Sequence, residues 1–168
     1  MIRQILLLLF VIVLGIELGA GLYETLVVLP LWTSHIPDSV IAYYQHNAAD
    51  PQFALQAGPR FWMVCTPLVG IMAIAALLSG FRTATEHRKW RIAGTTLALV
   101  VVISTFAWFV PNIIKLGSSA VLTMTRDEVA SVANAWVNLN WARVVVYSAA
   151  LLSALRAFSL SPKAAARV

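Results

Sequence analysis

The stretch from Ile5 to Trp32 reads ILLLLFVIVLGIELGAGLYETLVVLPLW, broken only by Glu17 and Glu24. A run of this kind has no alternation that a half-buried strand would need. It is long enough to cross about 30 Å of hydrocarbon as a helix rising 1.5 Å per residue. Three more runs follow, at 61–81, 92–111 and 136–155. Each supplies about 20 apolar residues, the length one crossing requires. Backbone polar groups in lipid must be paired within their own segment, so the four runs are expected to be helices. A membrane β-barrel requires short alternating segments, and the chain has none. The expected fold is all-α: a transmembrane four-helix bundle forming a single integral membrane domain.

Composition agrees. Charged residues make up 11% of the 168 positions and apolar ones 60%, whereas a soluble domain carries about 25% charge. The formal net charge of +5 does not indicate nucleic acid, because the basic residues lie between apolar runs rather than in a patch. Cys65 is the single cysteine, so no intrachain disulfide can form, and its apolar surroundings suit a small core residue. Arg3 followed by Ile5–Leu14 imitates a secretion signal, but the apolar stretch continues through Leu31, past a normal signal core. It reads as an uncleaved first span.

Basic residues orient the chain. Arg82, Arg88, Lys89 and Arg91 fill the connection 82–91, Arg3 precedes the first run, and Arg156, Lys163 and Arg167 close the last. The positive-inside rule then places both termini and 82–91 in the cytoplasm, and 33–60 and 112–135 outside. The inner membrane of a bacterium is the expected location. Trp32, Trp62, Trp90, Trp108 and Trp136 fall near run ends, where amphipathic rings anchor. Pro30 and Pro111 fall at run ends, whereas Pro67 lies inside the second and should kink it. Thr125-Arg126-Asp127-Glu128 has capping-box spacing, so the fourth helix should start before its apolar run.

Charges at bilayer depth cost about 2.5–3.5 kcal/mol each on insertion scales and need a reason. Glu17, Gly21 and Glu24 fall at i, i+4 and i+7, putting both carboxylates on one face. On the fourth run, Trp136, Asn140, Arg143 and Tyr147 form a second such stripe. Measured from Trp32, Glu24 lies about 12 Å deep, and measured from Trp136, Arg143 lies about 10 Å deep. Matching depth predicts a Glu24–Arg143 ion pair, with Asn140 and Tyr147 hydrogen-bonding around it. Glu17, about 10 Å further inward, has no cation at its level and is expected to be uncharged or to line a wet cavity. Gly15, Gly19 and Gly21 are expected to let another helix of the bundle approach closely.

Outside the runs, His35, Asp38, His46 and Asp50 are of metal-ligating type, but their spacing matches no metal signature and a solvated loop is expected. His87 is expected on the cytoplasmic surface. No phosphate loop, Ser–His–Asp pattern or haem-type ligand pair names a cofactor.

The segments Phe109-Val110-Pro111-Asn112 with Lys115-Leu116, Trp136-x-x-x-Asn140-x-x-Arg143, and Gly19-Ala20-Gly21-Leu22-Tyr23-Glu24 with Val28-Leu29-Pro30 resemble the anthrone oxygenase-like family of four-span membrane proteins. The resemblance covers most of the chain. It implies an oxygenase or oxidoreductase, acting without a cofactor on an apolar aromatic or quinone-like molecule. Glu24 as base and Arg143 as cation would be the catalytic pair, with Glu17, Trp136, Asn112, Asn140 and Tyr147 around the substrate. Two other readings stand beside it: a binding or transport protein in which Glu17 and Glu24 form a carboxylate path through a small oligomer, and a structural or accessory subunit whose charges only set helix register.

Overall fold

In the computed structural model, which describes residues 2–48, 57–80 and 85–160, the first apolar run lies on an unbroken helical stretch from Ile2 to Thr33. It comprises helix α1 (Ile2–Tyr23), one π-helical turn (Glu24–Val28) and α2 (Leu29–Thr33). After α3 (Asp38–Ala48) come α4 (Ala57–Gly80) and α5 (Thr85–Ser104). A second π-helical turn (Thr105–Phe109), α6 (Val110–Gly117), a 3-10 turn (Ser119–Thr123) and α7 (Arg126–Ser159) follow. The described residues contain no strand, and four helical stretches are long and apolar enough to cross a membrane. These stretches run Ile2–Thr33, Arg60–Gly80, Glu86–Gly117 and Arg126–Ser159.

Two compact units divide the chain. The first gathers Met1–Leu18, Cys65–Val102 and Val145–Val168. Its core is a four-helix packing: Leu7, Phe10 and Leu14 from α1 meet Val69, Ala73 and Ala76 from α4. Ala98 and Val101 from α5 and Tyr147, Ala150 and Ala154 from α7 complete it. Alanine on α4 and α7 lets backbones approach, and at Gly94 a Cβ would stand 2.9 Å from the Ala150 carbonyl oxygen of α7. The outward faces carry exposed Ile71, Leu78, Val100 and Leu152, side chains that water does not tolerate in such numbers and lipid does.

The second unit holds Gly19–Val64 and Ile103–Val144. Its core is aromatic: Trp32, Tyr44, Phe109 and Trp136 pack with Leu29, Val40, Leu116 and Val129. Trp32 and Trp136 meet edge to face at 6.2 Å, and Phe109 meets Trp136 at 4.9 Å. Burial raises the Tyr44 phenol above its ordinary range. Outside the apolar segments, Arg126 grips the Asp38 carboxylate with both guanidinium nitrogens, at 2.6 and 2.8 Å. That hydrogen bonding, and then the charge, holds Asp38 below the usual carboxylate range.

Local signals account for several boundaries. The capping box forms: Thr125 N–H donates to Glu128 at 2.8 Å and Glu128 N–H donates to Thr125 Oγ1 at 3.2 Å. Pro67 sits inside a continuous α4. Pro111 does not end the third stretch, which continues helically to Gly117. The glycine stripe differs from expectation as well. Among the described residues, a Cβ on Gly15, Gly19 or Gly21 would meet nothing within 4 Å, so no described helix packs against it there.

Candidate functional site

Both π-helical turns lie in the second unit, and each opens six residues before a proline: Glu24 before Pro30, Thr105 before Pro111. Proline offers no N–H, and its ring crowds the carbonyl four residues back. A wider turn relieves this. The residue before each proline instead donates five residues back, Leu29 N–H to Glu24 O and Val110 N–H to Thr105 O. Such irregular ladders need side-chain donors. Thr25 Oγ1 supplies one to Gly21 O at 2.7 Å, and Asn112 Nδ2 supplies one to Trp108 O at 2.8 Å. π-Helical turns occur often at functional sites. Here one begins with Glu24 and the other ends with Phe109, both neighbours of Arg143.

Arg143 Nη2 lies 3.3 Å from Glu24 Oε2, and the two side chains keep 7% and 16% of their surface open. The guanidinium carbon also stands 5.1 Å from the Trp62 ring centroid and 4.7 Å from that of Phe109. Two ring faces and one carboxylate therefore neutralise a cation that α7 carries into an apolar environment. One turn before Arg143, Asn140 is completely buried, and Trp136 is 5% exposed. Their side-chain N–H groups are directed at the Glu24 carboxylate as long hydrogen-bond donors. Asn140 Oδ1, by contrast, has no partner among the described residues. Buried amides are ordinarily satisfied, so the open Asn140 oxygen is the exception in this cluster.

Tyr147 is not part of this cluster, contrary to the expectation from its stripe. It lies one turn beyond Arg143, about 6 Å along α7, and its hydroxyl donates to Glu17 Oε1 at 3.3 Å. Thr66 Oγ1 donates to the same oxygen at 2.8 Å. Glu17 is 1% exposed in the first unit, and its partners include these two hydroxyls, one from α4 and one from α7. Asn112 spends its amide N–H on the helix's own backbone. Asp50, Arg82, Lys163 and Arg167 lie outside the described residues.

The basic connection conceals two buried groups. Because α5 begins at Thr85, His87 and Arg91 fall one turn apart on its inward face. His87 is 5% exposed and Arg91 1%, so neither belongs to the surface. Arg91 Nη1 donates to Ala76 O at 3.2 Å and Ser79 Oγ at 3.0 Å, while Nη2 reaches Arg3 O at 3.4 Å. A cation over the last carbonyls of α4 suits the negative end of that helix. A Cβ at Gly80 would collide with Arg91 Cδ, so glycine makes the room. Continuing helical periodicity N-terminally from Ile92 would have revealed the pair. The π-turn and proline spacing, had it been sought, would have marked Phe109; nothing in the sequence singles out Trp62 as a partner of Arg143.

Comparison with family models, with curated proteins and with solved structures finds no match to this chain.

Proposed function

We propose that this chain is an integral membrane protein of a bacterial inner membrane, both termini cytoplasmic, whose Glu24–Arg143 cluster binds and oxidises an apolar aromatic molecule. The observation that carries this reading is the fully buried Asn140 beside an ion pair and the Trp136 N–H, its amide oxygen unpartnered among the described residues. Intramembrane charges are expected to be functional by default. The sequence resemblance to the anthrone oxygenase-like family points to the same chemistry. For a ring ketone such as anthrone, whose acidic CH2 lies across the ring from the carbonyl, Glu24 would accept the proton as general base. Arg143, Asn140 and Trp136 would meet the resulting enolate oxygen with N–H donors. Dioxygen then takes the electrons, converting the ring CH2 to a carbonyl and releasing one water. The test is oxygen uptake by purified protein supplied with anthrone. Arg143→Gln and Glu24→Gln should each lower turnover by at least about tenfold, one factor of ten being about 1.4 kcal/mol of lost transition-state stabilisation. Unchanged turnover in a folded Arg143→Gln variant refutes the assignment.

A second reading has its own observation. Arg143 is closed in by Trp62 and Phe109, an arrangement that also serves a register pin in an accessory subunit. Co-purification with a dedicated partner, with no ring-ketone turnover, would favour it.

A further inference from the structure

We infer that His87 and Arg91 form a proton-operated latch in the first unit, closed while His87 is neutral and opened when its ring takes a second proton. The inference shares no residue with the Glu24–Arg143 cluster and stands whether or not that cluster oxidises a ring ketone. Arg91 Nη2 lies 3.4 Å from His87 Nε2, one turn away on α5. A guanidinium has only N–H donors and keeps its charge at any physiological pH. The contact therefore calls for a lone pair at His87 Nε2, so the imidazole is neutral and carries its hydrogen on Nδ1. Protonation would set two cations against each other where His87 is 5% exposed and Arg91 1%. Solvent screens buried charges little.

The remaining contacts of Arg91 show what the latch holds. Nη1 donates to Ala76 O at 3.2 Å and to Ser79 Oγ at 3.0 Å, and Nη2 also reaches Arg3 O at 3.4 Å. Ser79 gives its own hydrogen to Ala76 O at 3.0 Å, which leaves its oxygen to accept from Arg91. One guanidinium thus ties the start of α1 and the last turn of α4 to α5. The charges around it are mostly of one sign. From α1 comes Arg3, whose charge acts on Arg91. On α5, Arg88 and Lys89 are exposed, and Glu86 pairs outward with Lys89 at 3.1 Å. Near the end of α7 stands exposed Arg156, and the last turn of α4 holds no titratable side chain. A proton on His87 adds to this positive charge. Withdrawal of Arg91 relieves the repulsion and releases the end of α4 and the first turn of α1. On the orientation proposed above, the latch reads cytoplasmic acidity.

Hydrogen–deuterium exchange of the full chain in nanodiscs tests it, in peptides covering 2–7 and 74–80 at pH 7.5 and 5.5, corrected for the intrinsic pH dependence of exchange. A histidine of ordinary value, about 6.5, that takes its proton only in the opened state raises the opened fraction about tenfold over that interval. Exchange in both peptides should rise by that factor. His87→Gln offers Arg91 an acceptor and does not titrate, so its exchange should stay flat. Nitrogen-15 NMR of labelled histidine should also show hydrogen on Nδ1 of His87 at pH 7.5, with the variant identifying the signal. Wild-type exchange equal at the two pH values overturns the inference, and so does an equal rise in His87→Gln. Should that variant not fold, the wild type still decides. Hydrogen on Nε2 of all three histidines at pH 7.5 overturns the latch; one histidine with hydrogen on Nδ1, together with the tenfold rise, upholds it.

Discussion

Replacing Asn140 by leucine separates a site kept for a ligand from a polar residue kept for packing. Asn140 is completely buried; its Nδ2 is directed at Glu24, and its Oδ1 has no hydrogen bond among the described residues. An unsatisfied buried polar group costs about 1–3 kcal/mol. The donor end is partly offset by the facing Glu24 carboxylate, so the acceptor end carries most of the penalty, about 2 kcal/mol. Leucine removes that penalty but is bulkier, and overpacking returns about 1 kcal/mol of it. The net expectation for the ligand-free protein is a gain of about 1 kcal/mol, accompanied by loss of ligand binding. Equilibrium unfolding in mixed detergent–SDS micelles measures the first quantity, and fluorescence titration the second. A variant destabilised by more than about 1 kcal/mol would show that Asn140 is bonded in the folded protein, and the case for a ligand-directed amide would fail.

Charge reversal tests the ion pair. Glu24→Arg or Arg143→Glu alone should cost about 3–5 kcal/mol, the range for breaking a buried pair. The double reversal should recover part of this, short by about 1–2 kcal/mol because Trp62 and Phe109 lose their cation; no recovery in a double-mutant unfolding cycle counts against pairing. Gly94→Ala places a Cβ 2.9 Å from the Ala150 carbonyl and 3.0 Å from the Ala154 nitrogen. Helix propensity gains about 1 kcal/mol and the backbone clash loses about 1–3, so a net loss is expected. Gly15→Ala, which meets nothing within 4 Å, should be neutral or stabilising; similar losses in both unfolding curves would contradict this packing. Asp38 is held below the carboxylate range by Arg126, so its contribution is present above that range and fades as pH falls through the lowered value. Wild type and Asp38→Asn should differ in melting temperature at pH 7, with a gap that narrows progressively as pH falls below the ordinary carboxylate range; a constant gap would refute the link.

Much of the candidate site was legible in the stripes. Glu17, Glu24, Asn140, Arg143 and Tyr147 stand out because polar residues are rare in these runs, and helical spacing shows which share a face. Depth arithmetic, about 1.5 Å per residue from the nearest tryptophan, matched Glu24 with Arg143, which the structure holds 3.3 Å apart. It failed for Tyr147, because a residue one turn deeper on the same face can meet a different neighbour, here Glu17. Arg91 and His87 were hidden for another reason. Local composition made 82–91 a charged loop, and composition carries no information about which face of α5 turns inward.

The quoted stretch 5–32 and its three counterparts determined by themselves that this chain forms helices long enough to cross a membrane. Length, apolar content and obligatory backbone pairing are properties of each segment alone. The capping box was equally local, as three residues of spacing suffice to form it. Tertiary structure decided the rest. It set Trp62 and Phe109 against Arg143, gave Glu17 two hydroxyl donors and buried Arg91 over the end of α4. Contacts between residues distant in sequence depend on how the helices are rotated and how their faces pack, which no single segment encodes.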